Sequence, residues 1–187
     1  MNFSVLIWIF IFLLGLLFVF KMTYVLCTAL ILPVTKGALY VSTSRHRISA
    51  FIDAVPMRAS QLLVDLGCGD GRVLREARKH YGVRAIGYEL NLLAYLKSRS
   101  QCLGYQGIEI KRRNFWRADL SQADVVCCYL FPDVMKALAV KLRSELRSGT
   151  VVVSCNFPLP EFVPERILRP GHASHNDPIF IYRMKGE

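Results

Sequence analysis

The stretch VDLGCGDGRV, residues 64 to 73, places Gly67, Gly69 and Gly71 at alternate positions directly behind Leu62, Leu63, Val64 and Leu66. A short, continuous apolar run of this kind reads as a buried strand, and Arg72 to His80 carries a helical pattern, so the glycines occupy a strand-to-helix turn. Glycines so placed suit a backbone that takes positive φ or lets another group approach closely. A strand, a glycine turn and a helix in succession point to an open α/β sheet, which binds ligands at the carboxyl ends of its strands.

The rest of the chain keeps the same alternation. Strands are expected at Leu62 to Leu66, Ala85 to Glu89, Ile108 to Arg112, Val125 to Tyr129, Val151 to Asn156, Arg166 to Arg169 and Ile179 to Met184. Helices are expected at Arg72 to His80, Leu92 to Leu103 and Val134 to Arg147. This order predicts a Rossmann-like α/β fold: a seven-stranded, mostly parallel sheet covered on both faces. No helix fits between the last two strands, which are therefore expected to pair as a terminal antiparallel hairpin.

At 187 residues the chain holds one ordinary domain and an appendage. The hydrophobic content, 53% in a chain of net charge +10, is high, and the excess is localised. Residues 3 to 20 contain no charge and are long enough to cross a bilayer core of about 30 Å as a helix. The apolar stretch Met22 to Val34 is too short to span alone and extends that helix or lies in the interface. A cleaved signal peptide fits poorly without a basic leading region, and Val25 and Leu26 stand where a lipoprotein box needs small residues. Only Lys21, of 24 Lys and Arg residues, precedes position 36. The positive-inside rule then puts the amino terminus outside and the domain on the cytoplasmic side of a single-pass protein. A prokaryotic plasma membrane is favoured over a mitochondrial inner membrane, since no Arg-rich and Ser-rich presequence is present.

The expected organisation is a membrane anchor over 1–35, a connector and lid helix over 36–60, and a ligand-binding domain over 61–187. In the connector, TSRHR at 43 to 47 offers an N-cap for a helix through Ile48 to Val55. Its cations suit anionic lipid headgroups, and Tyr40 to Ser44 is positioned to fold over a pocket as a lid. The six cysteines show no C-x-x-C spacing and read as reduced and packed. His46, His80, His172 and His175 are scattered, and no metal is assigned.

The ligand follows from the acids. A dinucleotide loop reads G-x-G-x-x-G and rests a phosphate on the helix start. Here the loop reads G-C-G-D-G, and Asp70 puts a negative charge where that phosphate would sit. Asp65 adds a second acid, and Glu89, ending the next strand, is placed to accept both hydroxyls of a ribose. A nucleoside without phosphates, bearing an amino acid and a positive centre, meets these demands. S-adenosylmethionine has that description.

At DLGCGDG and GYEL the sequence resembles the class I S-adenosylmethionine-dependent methyltransferases. A closer resemblance runs through nearly the whole chain. The amino-terminal apolar segment, GALYVSTS, VDLGCGDGRV, GYELN, NFW, YLFPDVM, KLRSELRSGT and NFPLP, in that order, resemble the ATP synthase c-subunit lysine N-methyltransferases and their prokaryotic relatives. The resemblance implies a membrane-anchored enzyme that uses S-adenosylmethionine to methylate lysine on a membrane-embedded protein. It assigns Asp65, Gly67, Gly69 and Gly71 to the methionine-end loop and Glu89 to the ribose, and Cys68 and Asp70, between the glycines, are expected to bind the cofactor with them. Asn114 falls where many members carry an acid beside the adenine amino group, and its carbonyl is still able to accept that hydrogen bond. Phe115 and Trp116 are placed to flank the adenine.

Leu130, Phe131 and Pro132 follow the fourth strand, where amino-directed nucleic-acid methyltransferases carry an Asp or Asn before two prolines. That absence weighs against base methylation. A lysine must lose its proton before attack, and an apolar, aromatic channel favours the neutral amine. Tyr129, Phe131 and Phe157 are the expected walls, with Pro132 beside them and Asp133 to orient the amine or accept its proton. Two alternatives stay open: an RNA or small-molecule methyltransferase, for which KRR at 111 to 113 and RHR at 45 to 47 would supply RNA contacts, and a membrane-tethered sensor that binds the ligand without turnover.

Overall fold

The computed structural model describes residues 3–35, 45–170 and 177–185. Its elements are α1 (Phe3–Thr35), α2 (Arg45–Ala54), β1 (Leu62–Leu66), α3 (Arg72–Tyr81), β2 (Arg84–Tyr88), α4 (Leu92–Cys102), β3 (Ile108–Lys111), β4 (Val125–Cys128), α5 (Pro132–Glu145), β5 (Val151–Cys155), β6 (Arg166–Leu168) and β7 (Ile179–Arg183). A single 3₁₀ turn covers Phe115–Arg117. All seven expected strands are present. The strand order is β3-β2-β1-β4-β5-β7-β6, with parallel pairing from β3 through β5. β7 runs antiparallel to both β5 and β6, so the expected hairpin closes the sheet.

Each face of the sheet buries one apolar cluster, because the central strands are apolar at both parities. On one face Leu63, Val125, Cys127, Val153 and Cys155 meet Phe51 and Ile52 of α2 and Leu74 and Ala77 of α3. On the other, Val64, Leu66, Val126, Cys128 and Val152 meet Val134, Met135, Leu138 and Leu142 of α5. The helix expected at Ile48 to Val55 starts at Arg45 and is built into the first cluster. α5 begins two residues before the expected Val134, because Pro132 has a φ suited to the first helical position and needs no N–H partner there.

α1 is one continuous helix, so the Met22 to Val34 stretch extends the first apolar run. Within it, Ser4–Leu26 is long and apolar enough to cross a membrane, and its residues are exposed. The proposed lid, Tyr40 to Ser44, and the histidines of GHASHND, His172 and His175, lie outside the described residues.

The chain reverses its winding between β1 and β4, which leaves a crevice at their carboxyl ends. Close packing of β2 against the glycine loop sets the floor of that crevice. A Cβ placed on Gly87 would come within 2.6 Å of both Cys68 Sγ and Leu74 Cδ1. Gly87→Ala is therefore expected to destabilise the protein by about 1–3 kcal/mol through overpacking. Adding Cys68→Ala should recover part of that loss in a thermal or denaturant melt. Equal melting of the single variant and the parent would show that the floor is loosely packed.

Candidate active site

Asp65 is the fourth residue of β1, level with Gly87 on one side and Cys127 on the other. After Leu66 the backbone N–H groups of Gly67 and Cys68 both donate to the Tyr88 carbonyl, at 2.9 and 3.0 Å, which turns the chain sharply over the end of β2. Gly67 at φ 83° and Gly69 at φ 56° take the left-handed conformation this turn requires. Gly71, also left-handed, opens α3.

Glu89, directly after β2, fastens the loop. Its Oε2 accepts from the Gly69 N–H at 3.0 Å and its Oε1 from the Asn91 N–H at 2.8 Å. Each oxygen keeps acceptor capacity, so two neighbouring hydroxyls of a ribose fit the remaining positions. Burial raises the Glu89 carboxyl above its usual value, and the N–H groups of Asn91 and Gly69 oppose the shift.

The other two acids differ. The sequence points the Asp70 charge at a ligand, yet Arg72 meets it twice, through Nε at 2.9 Å and Nη2 at 2.6 Å, and Lys97 lies 3.8 Å away. Burial works to raise its carboxyl, but the bond to Arg72 and that residue's charge hold it below the usual range. The charge at the start of α3 is thus compensated inside the protein. Asp65 is only 5% exposed and has no hydrogen-bond partner among the described residues. Burial first, then the charges of Glu89 and Asp70, push its carboxyl up to about 7. A buried acid of this kind is completed by a cationic group such as an ammonium.

The remaining expected residues divide. Cys68 is buried against Gly87 and Leu74, and its backbone shapes the loop while its side chain belongs to the core. Asn114 caps the 3₁₀ turn, its Oδ1 accepting from the Trp116 N–H at 3.0 Å, so only its second acceptor position is open to an adenine amino group. Phe115 and Trp116 pack on each other at 4.9 Å, half-buried against the α5 face. Tyr129 is half-buried at the end of β4, Phe131 precedes α5, and Pro132 and Asp133 are exposed in its first turn. Among the described residues no cluster of His, Cys, Asp or Glu is placed to hold a metal ion.

Three residues that sequence reasoning did not bring to this end of the sheet stand there together: Arg47, Asn156 and Asp177. Arg47, expected at a lipid or RNA surface, is 7% exposed. It lies over the Tyr129 ring, 5.1 Å from the centroid, and donates to Asn156 Oδ1 and, at 3.3 Å, to Asp177 Oδ2. Asn156 takes φ 72° and donates through Nδ2 to the Tyr129 hydroxyl at 2.8 Å. An amide does stand beside the β4 end, supplied by Asn156, the residue after β5. The NFPLP stretch contained the signal, since Asn tolerates the left-handed conformation better than most residues.

The donor set fits S-adenosylmethionine: an unpartnered acid for the ammonium, a half-occupied carboxylate for the ribose and half-buried aromatics near the expected adenine position. Comparison with known proteins agrees. A protein-lysine N-methyltransferase of Saccharolobus islandicus is 30% identical over 151 residues, 76% of this chain and 91% of that protein. The ATP synthase c-subunit lysine N-methyltransferase of Xenopus laevis is 29% identical over 153 residues, covering 79% and 67% respectively. Among solved structures, an RNA methyltransferase of Salinibacter ruber bound to S-adenosyl-L-homocysteine superimposes with a TM-score of 0.73 at 27% identity, over 79% of this chain and 95% of that one. Residues 65–166 match the family model described as the ANTKMT methyltransferase domain. The chain accordingly belongs to the ANTKMT methyltransferase family and is an S-adenosylmethionine-dependent enzyme.

Proposed function

We propose that this enzyme is a membrane-anchored protein-lysine N-methyltransferase whose substrate is itself a membrane protein. The carrying observation is the match along 91% of a protein named for lysine methylation. The relative named for the c-subunit of ATP synthase, a membrane protein, supports the substrate class. The long exposed apolar helix α1 and the near absence of cations before position 36 support the anchor and a cytoplasmic-side domain.

When bound, S-adenosylmethionine supplies a methyl carbon on positive sulfur: the amine lone pair forms the N–C bond as the C–S bond breaks, leaving a neutral thioether. The chain's task is to deliver a neutral amine in line with that carbon. Tyr129, Phe131 and Phe157 line the approach beside β4 and β5, and their apolar surfaces disfavour the ammonium form. Asp133, exposed in the first turn of α5, attracts the incoming cation and receives its proton or passes it to water. Glu89 and the glycine loop fix the nucleoside, so that the reacting carbon is held at one place.

A second reading has its own observation, since the Salinibacter ruber neighbour is described as an RNA methyltransferase. The burial of Arg47 removes one cation of RHR from any RNA surface. The decisive assay incubates the full-length protein with tritiated S-adenosylmethionine and membranes from its source. The expected result is a labelled, protease-sensitive band that disappears with Glu89→Ala. Label lost to nuclease would transfer the assignment to RNA.

Asp65 yields a pH prediction. Its unliganded carboxyl stays protonated up to about 7, against an ordinary 3.8, so between these values the native state holds a proton that the unfolded chain lacks. Stability contributed by this group is therefore full below that window and falls as pH rises through it, at about 1.4 kcal/mol per unit for a fully buried group. Asp65→Asn is expected to melt higher than the parent at pH 8, to match it near pH 4, and to bind S-adenosylhomocysteine more weakly. A variant that melts lower at pH 8 would show that Asp65 has a partner in the free protein.

A further inference from the structure

A buried acid without a hydrogen-bond partner and a buried guanidinium with one idle N–H lie on one face of the sheet. Asp65 is buried on the face covered by α2 and α3, with no hydrogen-bond partner among the described residues. Arg47, in the first turn of α2, is buried on that face above the ends of β4 and β5. Its terminal nitrogens serve Asn156 and Asp177, while its Nε, fully buried, has no hydrogen-bond partner among the described residues. Asp65 and Arg47 do not pair with each other. Asp65 is level with Cys127 of β4, two residues before the Tyr129 ring that Arg47 covers, so the two groups stand at neighbouring strand ends on this face.

A buried guanidinium with an idle N–H and a buried carboxylate without a donor call for a ligand that carries both complementary charges close together. An α-amino acid group is such a ligand. The other cations near the glycine loop are directed elsewhere: Arg72 and Lys97 face the Asp70 carboxylate, and Arg75 donates to the Asp70 carbonyl at 2.6 Å. We propose that Arg47 binds the α-carboxylate of the cofactor's methionine end, opposite Asp65, which takes the ammonium. The inference rests on the pocket assignment of Asp65, the glycine loop and Glu89.

This gives α2 a part in the reaction. The same guanidinium that meets the carboxylate also holds Asn156 and covers the Tyr129 ring, so cofactor binding and the substrate wall share one side chain. Arg47 would then report cofactor occupancy to the rim where the amine enters. Asp177 is half-buried and meets only one terminal nitrogen, which leaves the Nε side of the fork for the ligand.

The test is calorimetric binding to the full-length protein in detergent, using S-adenosylhomocysteine and its decarboxylated analogue, which keeps the amine and the nucleoside. The parent is expected to bind the analogue about 10- to 100-fold more weakly, the worth of a charged hydrogen bond at a buried site. Arg47→Met should lower affinity for S-adenosylhomocysteine to the level of the analogue while leaving the analogue's affinity unchanged. Arg47→Lys should restore part of the difference. Equal affinity of the parent for both ligands would overturn the proposal without any variant, which covers the case in which Arg47→Met fails to fold. So would an Arg47→Met protein that keeps the parent's ratio, including one that weakens both ligands by the same factor. Glu89→Ala distinguishes the pocket reading: it should weaken both ligands alike, and unchanged binding of both would remove the pocket itself, whatever Arg47 does.

Discussion

One carboxylate at the end of β2 organises the cofactor end of the molecule. Glu89 accepts the N–H of Gly69 in the loop after β1 and the N–H of Asn91 at the start of α4, so it joins two βα turns across the sheet. Asn91 in turn accepts from Leu93 and Ala94 and begins α4. The glycine loop is stiff because of these ties. Its positive-φ residues would otherwise have wide conformational freedom, and a loop ordered only by ligand would spend binding energy on its own ordering. Glu89 is thus a scaffold in its own right, and on the proposed reading its remaining acceptor positions are already aimed when a ribose arrives.

The three acids around that loop are treated unequally, and the inequality explains what the pocket selects. Asp70 is answered by Arg72 and Lys97, and Glu89 by backbone N–H groups. Asp65 alone is left to burial and to repulsion from the other two. Ionising Asp65 there is costly, and on the proposed reading the ammonium of the ligand offsets that cost. At the start of α3, where a dinucleotide fold rests its phosphate, this chain places the internally paired Asp70 carboxylate instead.

Much of this was legible in the sequence. The strands, the glycine turn and the terminal hairpin were readable because each is a local pattern: apolar runs of strand length, glycines at fixed offsets and a gap too short for a helix. Asp65 and Glu89 were readable because the βα unit fixes where each strand ends. Arg47 was not. In RHR it looks like any exposed cation, and its burial depends on Asn156 and Asp177, 109 and 130 residues away. Nor was the local satisfaction of Asp70 and Asn114 visible, since either acid or amide serves a ligand or its own turn with the same sequence around it. The partnership between Asn156 and Tyr129 joins two strand ends that only the β4–β5 pairing brings together.

The anchor and the pocket bear on each other through geometry. With 33 residues, α1 is about 50 Å long, well beyond a bilayer core of about 30 Å. On the proposed reading, its surplus lies at the membrane surface on the side of the domain and limits how far the strand ends move from the lipid. A lysine at the edge of a membrane protein is then presented repeatedly to the same rim, at an effective concentration set by the tether. Affinity for the substrate chain can be low under these conditions without loss of encounter. Selection passes to the approach beside Tyr129, Phe131 and Phe157, where an amine must be both reachable from the membrane surface and able to shed its proton.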